Sequence, residues 1–262
     1  MSILKQIISS KKIFLKNRKK DLPLVELRSL LSPKLLAPRF SKTLRAKGIH
    51  LIAELKKASP SRGLISRDFD IPKIVKSYEK GGAACLSVLT DEKFFKGHLS
   101  YLAQARALTD LPLLRKDFII DDYQVYESKV FGADAILLIA AALDKNRLKD
   151  LLNLARQLKL DIVCEVHNSR ELDKVLNVGA DTIGINTRDL KDFSLHWDIV
   201  PEILKEIPKD KIVICESGIR ELRDLARIKK FKVNAVLVGE ALMRASHPFQ
   251  ETKKFVDFLK KR

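Results

Sequence analysis

Residues 132–139 read Gly-Ala-Asp-Ala-Ile-Leu-Leu-Ile, a glycine turn followed at once by an uninterrupted apolar run. Related turns return as Gly-Gly-Ala-Ala at 81–84 and Gly-Ala-Asp-Thr at 179–182, about 50 residues away on either side. Glycine is favoured just after a helix because it takes a positive φ without side-chain strain. Each copy therefore predicts the end of a helix followed by a buried strand.

Eight apolar runs of this kind lie along the chain, at residues 49–54, 84–89, 111–115, 135–139, 162–166, 182–186, 212–215 and 235–238. They are continuous, which is typical of parallel strands that are covered on both faces. Segments between them, such as 71–80, 144–159 and 219–229, space apolar residues three and four apart, as crossover helices do. The pattern predicts an α/β fold, a (β/α)8 TIM barrel, with a six-stranded doubly wound sheet as the alternative.

The chain is expected to be a single domain, in which residues 1–47 form an N-terminal helical extension and residues 48–262 the barrel. An amphipathic helix is predicted over residues 2–19, and its attachment to a membrane surface is the alternative. The longest apolar run, residues 135–143, is far shorter than the roughly 20 residues that cross a bilayer. The N-terminus lacks the continuous apolar core of a secretory signal. We therefore expect a cytoplasmic protein without membrane contact.

The chain carries a formal charge of +17, from 50 basic and 33 acidic residues. A positive field attracts polyanions, so nucleic-acid binding is one alternative function. The basic residues are spread along the chain, however, without a zinc-finger spacing or an aromatic RNA motif. They predict solvated helix faces and steering of an anionic small-molecule substrate, with no nucleic-acid partner.

Metal and nucleotide signatures are absent from the sequence. The histidines lack ligand spacing, and neither a Walker A loop nor a Gly-x-Gly-x-x-Gly motif occurs, so no metal or cofactor is expected. The three cysteines, Cys85, Cys164 and Cys215, lie in apolar stretches and are predicted to be buried, reduced thiols. We expect a monomer, with a weak homodimer as the alternative.

Functional groups of such a barrel lie where the strands end. Those positions are held mostly by lysines, carboxylates and an amide: Glu54, Lys56, Ser87, Lys116, Leu138, Glu165, Asn186, Arg188, Glu216, Ser217, Gly218 and Gly239. Buried charges without partners are costly, so the set predicts mutual pairing around one ligand at one rim. Small-residue turns at Ser217-Gly218 and Gly239-Glu240 follow the last two strands, and exposed N–H groups at helix starts bind phosphate. A phosphorylated substrate is expected there.

The segment 52–63, Ile-Ala-Glu-Leu-Lys-Lys-Ala-Ser-Pro-Ser-Arg-Gly, resembles the first-strand signature of indole-3-glycerol-phosphate synthases. Similar matches follow in order at 87–97, 114–119, 184–190 and 216–219, and the resemblance as a whole extends over nearly the entire chain. The resemblance implies a carboxy-lyase of tryptophan biosynthesis. Its reaction takes 1-(2-carboxyphenylamino)-1-deoxyribulose 5-phosphate to indole-3-glycerol phosphate, with loss of carbon dioxide and water.

The resemblance also implies roles for the residues at the rim. Lys116 matches the general acid, and Glu165 a carboxylate that stabilises positive charge on the substrate amine. Glu54 and Lys56 match the pair used in dehydration, although the order of proton transfers between the two lysines stays open. The remaining matches are the orienting amide Asn186 with its supporting Arg188, the substrate contacts Ser59, Phe95, Phe118, Leu138 and Glu216, and the phosphate contacts Lys56, Ser217, Gly218, Gly239 and Glu240, of which Ser217 is also counted as catalytic.

Two expectations concern charge. A lysine among other cations in a partly dry pocket has its pKa depressed toward neutrality, which would suit Lys116 or Lys56 to acid–base work. Many relatives carry a small hydroxyl residue where Glu240 stands. Since a carboxylate cannot face a phosphate, the Glu240 side chain is predicted to turn away and leave its backbone N–H to bind.

The sequence also allows two other functions, and it predicts a role for its single tryptophan. Phosphoribosylanthranilate isomerase, a neighbouring barrel, uses a cysteine and aspartate pair, whereas this chain offers Glu-x-Lys at its first strand. A noncatalytic polyanion-binding protein would explain the charge but not the polar rim. Trp197 is predicted to be a packing residue at an exposed helix start.

Overall fold

Eight parallel strands close into a barrel within the residues that the computed structural model describes, 2–33, 35–189 and 194–261. We number them β1 to β8: His50–Leu55, Cys85–Leu89, Leu113–Lys116, Ala135–Ile139, Asp161–Val166, Thr182–Asn186, Ile212–Glu216 and Ala235–Val238. Strand β1 pairs with both β2 and β8, which closes the ring. The predicted (β/α)8 barrel is confirmed, and the open-sheet alternative is wrong.

Helices connect the strands and cover the outside of the barrel. They are α1 Ile3–Asp21, α2 Leu24–Ser29, α3 Phe40–Leu44, α4 Ile71–Lys80, α5 Glu92–Phe95, α6 Leu99–Leu108, α7 Asp122–Val130, α8 Lys145–Gln157, α9 Ser169–Asn177, α10 Ile199–Glu206, α11 Leu222–Ile228, α12 Glu240–Arg244 and α13 Pro248–Lys260. A 3-10 turn covers Ala140–Ala142, and Ala58–Ser59 pairs with Gly63–Leu64 in a short hairpin after β1.

Local sequence explains where several helices begin and end. The side chains of Asp70, Asp144 and Asn168 each accept a hydrogen bond from a backbone N–H in the first turn of α4, α8 and α9, which satisfies an otherwise unpaired donor. Gly132 and Gly179 follow α7 and α9 with φ of +89° and +82°. The predicted glycine stops before β4 and β6 are therefore confirmed.

Side chains along each strand alternate between the barrel interior and the layer beneath the helices, as the pleat requires. In β4, Ala135, Leu137 and Ile139 pack in the interior, whereas Ile136 and Leu138 pack in the outer layer. Other strands place an apolar residue inside and then a charged residue two positions later, which carries the charge to the barrel mouth. These pairs are Ile52 and Glu54, Leu114 and Lys116, Val163 and Glu165, and Ile214 and Glu216.

The N-terminal extension packs against both ends of the barrel. At the amino end, Ser41 of α3 donates hydrogen bonds to the Asp161 carboxylate from its backbone N and its Oγ, at 2.8 and 2.7 Å. At the carboxyl end, the buried Lys11 of α1 reaches Asp117, directly after β3. The predicted N-terminal helix is confirmed. None of the described helices is long and apolar enough to cross a bilayer.

Candidate active site

A cavity of about 1040 Å³, counted with its open mouth, lies at the carboxyl ends of the barrel strands. Its lining includes the following predicted site residues: Glu54, Lys56, Ser59, Phe95, Lys116, Phe118, Glu165, Asn186, Arg188, Glu216, Ser217, Gly218, Gly239 and Glu240. The parallel register sets neighbouring members side by side, since Asn186 pairs with Glu216 and Glu54 with Ser87. The structure thus brings these side chains together at one rim.

Lys116 stands at the centre of this rim, at the end of β3. Its Nζ donates to Glu165 Oε2 at 3.0 Å and also contacts Glu216 Oε2. Burial alone would lower the pKa of Lys116, but the two carboxylates outweigh it and hold the pKa above its ordinary value. The expectation of a depressed lysine is wrong here, because the nearest charges are carboxylates rather than cations.

Glu165 and Glu216 both contact the Lys116 ammonium, but their pKa values shift in opposite directions. Burial tends to raise both pKa values, but Lys116 and His167 hold the pKa of Glu165 below its usual range. For Glu216, burial and the neighbouring Glu165 raise the pKa above its usual range, and Lys116 offsets them only in part. Glu165 is therefore held ionised while the pKa of Glu216 is raised to about 7, and such a separation is typical of an acid and base pair.

The sequence of β6 makes room for this cluster. A Cβ at Gly184 would overlap Glu216 Oε1, so only a residue without a side chain lets Glu216 lie across that strand. Glycine at this position is thus explained by the carboxylate that crosses it.

A second charged pair lies beside the first. Lys56 Nζ is 2.7 Å from Glu54 Oε1, and Ser87 Oγ donates to Glu54 Oε2 at 3.4 Å. Glu54 and Lys56 are two residues apart in sequence, so both point to the mouth. A Cβ at Gly239 would lie only 2.5 Å from Glu54 Oε1, so the glycine after β8 leaves space for the pair.

The turn after β7 has an unusual backbone. Ser217 and Gly218 take φ of +64° and +76° in succession, and a left-handed conformation costs a residue other than glycine on the order of 1 kcal/mol. Trp197 packs against Gly218 and beneath the Arg227 guanidinium, 5.3 Å from the ring centroid. Trp197 is half-buried, so the prediction of a packing residue is confirmed.

Glu240 opens α12 at the edge of the cavity. Its Oε1 lies 3.3 Å from Arg62 Nε and 3.4 Å from Arg244 Nε. The carboxylate is thus engaged by two guanidinium groups, while Glu240 itself lines the cavity, so its turning from the phosphate site stays a prediction.

The apolar wall of the cavity contains the predicted Phe95 and Phe118, whose ring centroids are 6.1 Å apart. The prediction that Leu138 joins them is wrong. Leu138 points outward beneath the helices, and Leu137 and Ile139 line the cavity instead. The pleat explains the error, because a shift of one residue moves a side chain to the opposite face.

Sequence reasoning also missed Arg220 and Asp117, which line the cavity. Arg220 follows the Ser-Gly turn on an exposed surface, and no signal in a single sequence marks it.

Fold and site together define a (β/α)8-barrel enzyme that performs acid–base chemistry on a small anionic substrate. The family model "Indole-3-glycerol phosphate synthase" matches residues 4–255. The indole-3-glycerol phosphate synthase of Alkaliphilus metalliredigens is 48% identical over 244 residues, 93% of this chain and 94% of that protein. That of Polynucleobacter necessarius is 45% identical over 256 residues, 94% and 96% of the two chains. The chain belongs to the indole-3-glycerol-phosphate synthase family.

Membership makes the chain an enzyme, a carboxy-lyase of tryptophan biosynthesis, as the sequence resemblance implied. Among solved structures, 3-hexulose-6-phosphate synthase from Salmonella typhimurium superposes with a TM-score of 0.64. That match covers 80% of this chain and 98% of the other at 16% identity, so it shows the fold alone. The isomerase and polyanion-binding alternatives are set aside.

Proposed function

We propose that the cavity converts 1-(2-carboxyphenylamino)-1-deoxyribulose 5-phosphate to indole-3-glycerol phosphate, with Lys116 as the first proton donor. The observation that carries this proposal is the buried ammonium of Lys116 between Glu165 and Glu216, beside an aromatic wall. An acid, an ionised carboxylate and an apolar slot are what ring closure on an aromatic amine requires.

In the first half of the reaction, the ring carbon that bears the carboxylate attacks the ribulose carbonyl carbon. The Lys116 ammonium gives a proton to the carbonyl oxygen as the new carbon–carbon bond forms. Positive charge develops on the amine nitrogen, and the ionised Glu165 stabilises it. Carbon dioxide then leaves, and its bonding electron pair returns to the ring.

In the second half, the hydroxyl group made by that attack leaves as water and the indole ring becomes aromatic. Glu54 accepts a proton from the carbon between the amine nitrogen and the former carbonyl carbon, and Lys56, whose Nζ is 2.7 Å from Glu54 Oε1, donates a proton to the departing hydroxyl. Lys116 lies on the same rim and could also donate this proton. The Lys56→Ala and Lys116→Ala variants show which of the two lysines does so.

The raised pKa of Lys116 has a consequence for this order of events. The raised pKa keeps Lys116 protonated at neutral pH, so the proton needed for the first step is already on the lysine when substrate binds. When Glu165 turns toward the substrate amine, the ammonium loses a carboxylate contact, which lowers its pKa. Proton donation is therefore coupled to substrate binding.

Binding follows from the groups that surround these catalysts. The phosphate lies against Ser217, Gly218, Gly239 and the backbone N–H of Glu240, with Lys56 and Ser59 beside it. The aromatic ring lies against Phe95 and Phe118, with Leu137 in place of the expected Leu138. Asn186 orients the substrate, and its own amide is held because Oδ1 accepts the Arg188 backbone N–H at 3.0 Å.

The test is to give purified protein the carboxyphenylamino substrate without added metal and to follow indole fluorescence from about pH 6 to 8.5. Turnover is expected, and the proposal is contradicted if indole fluorescence fails to appear at every pH tested.

The Lys116→Ala variant should lose about 100- to 10,000-fold in kcat, the range of a general acid, and keep the circular dichroism spectrum of the parent. Lys149→Ala, an exposed lysine on α8, serves as the control and should match the parent. Lys56→Ala should slow the second half of the reaction, so that the decarboxylated intermediate accumulates.

We also propose that residues 1–262 act as a single domain, 1–47 as extension and 48–262 as barrel, in the cytoplasm. The three cysteines are free and buried, which fits a reducing compartment. A monomer is the expected state, with a weak homodimer as the alternative. Light scattering at two protein concentrations tests it, and a stable larger oligomer contradicts it. Sequence-specific DNA binding at physiological salt should be absent, because the basic residues are spread along the chain without a nucleic-acid motif.

A further inference from the structure

His167 lies two residues beyond Glu165, at the start of the loop from β5 to α9, with only 12% of its side chain exposed. Its Nε2 is 3.5 Å from Glu165 Oε1 and, within the described residues, this solvent-shielded atom has no hydrogen-bond partner. The imidazole does not line the cavity. It stands directly behind a carboxylate that does.

Glu171 of α9 fixes the orientation of this ring. Its Oε2 accepts the His167 backbone N–H at 2.9 Å and lies 3.1 Å from the ring Nδ1. Its Oε1 accepts a hydrogen bond from Asn168 Nδ2 at 3.0 Å. Because Nδ1 is engaged by Glu171, Nε2 is the nitrogen that is turned toward Glu165.

The charges around the ring come from three elements. Glu165 faces it from β5, Glu171 from α9 and Glu216 from β7, while Lys116 of β3 lies beyond Glu165. Burial alone would lower the pKa of His167, but the three carboxylates outweigh it and raise the pKa above its ordinary value. The ring is therefore biased toward the imidazolium form, with a proton on Nε2.

The two oxygens of Glu165 are thus approached by different cations, Oε1 by His167 and Oε2 by Lys116 at 3.0 Å. Without the imidazolium, Glu165 and Glu216 would compete for a single ammonium, and two close carboxylates cannot both stay ionised on equal terms. A protonated Glu165 could not stabilise positive charge on the substrate amine.

We propose that His167 is a positioning residue for the reaction: its imidazolium, oriented by Glu171, keeps Glu165 ionised and aimed at the substrate. The inference rests on the role given to Glu165 under the proposed function. Glu171, His167, Glu165 and Lys116 form one row of alternating charge from α9 to the cavity.

The experiment compares kcat and KM as functions of pH in His167→Gln, which keeps a neutral hydrogen-bond donor, and His167→Leu, which keeps neither charge nor donor. Activity needs ionised Glu165 and falls as pH drops through the pKa of that group. Glu165 and Glu216 titrate as a coupled pair, and loss of the nearby positive charge raises the pKa values of this pair, so the acid limb of kcat should move to higher pH in both variants. kcat should fall by about 10- to 100-fold, as for other residues behind a reacting group, with KM near the parent value.

Glu171→Gln is the second variant, since it keeps the histidine but weakens its orientation, and it should move the acid limb in the same direction by a smaller amount. His247→Gln, an exposed histidine, is the matched control and should leave the profile unchanged. A lower melting temperature with an unmoved pH profile in the His167 variants overturns the inference. A parent enzyme that never turns over the substrate instead refutes the proposed function, so the two failures are distinguishable.

If the His167 variants fail to fold, nitrogen NMR of the parent protein still decides the matter. The His167 ring should titrate above the ordinary histidine pKa of about 6.5. Titration at or below that value overturns the inference.

Discussion

Replacing Lys11 by methionine should destabilise the protein far more than its position on a lysine-rich surface helix indicates. Lys11 Nζ lies 2.8 Å from both Asp91 Oδ2 and Asp117 Oδ1, and all three side chains are at most 5% exposed. Removing one partner of a buried ion pair leaves an uncompensated charge, which costs about 3–5 kcal/mol. Asp117 keeps Arg115 at 3.0 Å, so we expect the lower end of that range, about 3 kcal/mol.

The same substitution should weaken substrate binding. Asp91 Oδ1 caps α5 by accepting the Phe94 N–H at 2.9 Å, and α5 carries Phe95. Asp117 Oδ1 accepts the Phe118 N–H at 2.8 Å. Lys11 therefore joins the two carboxylates that hold both aromatic walls of the cavity. We expect KM to rise in Lys11→Met while the variant remains folded at room temperature.

Urea unfolding followed by circular dichroism measures this prediction, with Lys12→Met as the control, since Lys12 is exposed on the same helix. The pH dependence adds a second check. Burial would raise the pKa of Asp117, but Lys11 and Arg115 outweigh it and lower that pKa. The stability that depends on this ionised carboxylate is thus present above its unfolded pKa of about 3.9 and is lost as pH falls below it.

The difference in unfolding free energy between the parent and Lys11→Met should therefore stay constant from about pH 5 to 9 and become smaller in acid. The raised pKa of Lys11 itself adds stability that is lost only when pH rises past the ordinary lysine value of about 10.4. A loss in Lys11→Met that is no larger than in Lys12→Met, or under about 1 kcal/mol at neutral pH, would refute the reasoning.

Four other substitutions test the cavity. Leu137→Ala should raise KM, whereas Leu138→Ala should leave KM unchanged and lower the free energy of unfolding by about 2–5 kcal/mol. Steady-state kinetics and urea unfolding measure the two effects. Equal effects on KM would contradict the assignment of Leu137 to the cavity and Leu138 to the outer layer. Gly184→Ala should push Glu216 from Lys116 and lower kcat by at least about 10-fold in the fluorescence assay with the fold retained, so an unchanged kcat counts against the cluster. Glu240→Ser removes a negative charge near the phosphate site, so KM should fall, while the unfolding free energy changes by less than about 1 kcal/mol because the pairs are partly exposed. A higher KM in Glu240→Ser would show that its carboxylate aids binding.

The strands were predictable from the sequence, but the direction of each side chain was predictable only where a charge marks it. In β1, β3, β5 and β7 a lysine or glutamate at the carboxyl end declares which positions point to the mouth. Strand β4 reads Ala-Ile-Leu-Leu-Ile and is buried on both faces. Nothing polar fixes its alternation, so Leu138 was chosen where Leu137 is correct.

The ion-pair partner of each charged residue could not be predicted from the sequence, for a different reason. Lys116 meets Glu165 and Glu216 from 49 and 100 positions away, across a closed barrel whose register no local pattern specifies. The burial of Lys11, by contrast, left a local signal that was overlooked. Ile7, Lys11 and Leu15 are spaced by four on α1 and are all buried, so helical spacing alone places this lysine on the packed face.

Arginines lie at the mouth of the cavity, whereas the lysine–carboxylate pairs lie deeper inside it. Burial lowers the pKa of Arg188, and the nearby Arg220 and Arg62 lower it further, while Glu240 and Glu54 oppose them only in part. Three guanidinium groups thus crowd the mouth, where an anion relieves their repulsion and a positive field speeds its arrival. Deeper in the cavity, Lys56 and Lys116 each face carboxylates. We therefore propose that the arginines capture the anion and that Lys116, whose pKa is raised by Glu165 and Glu216, transfers a proton.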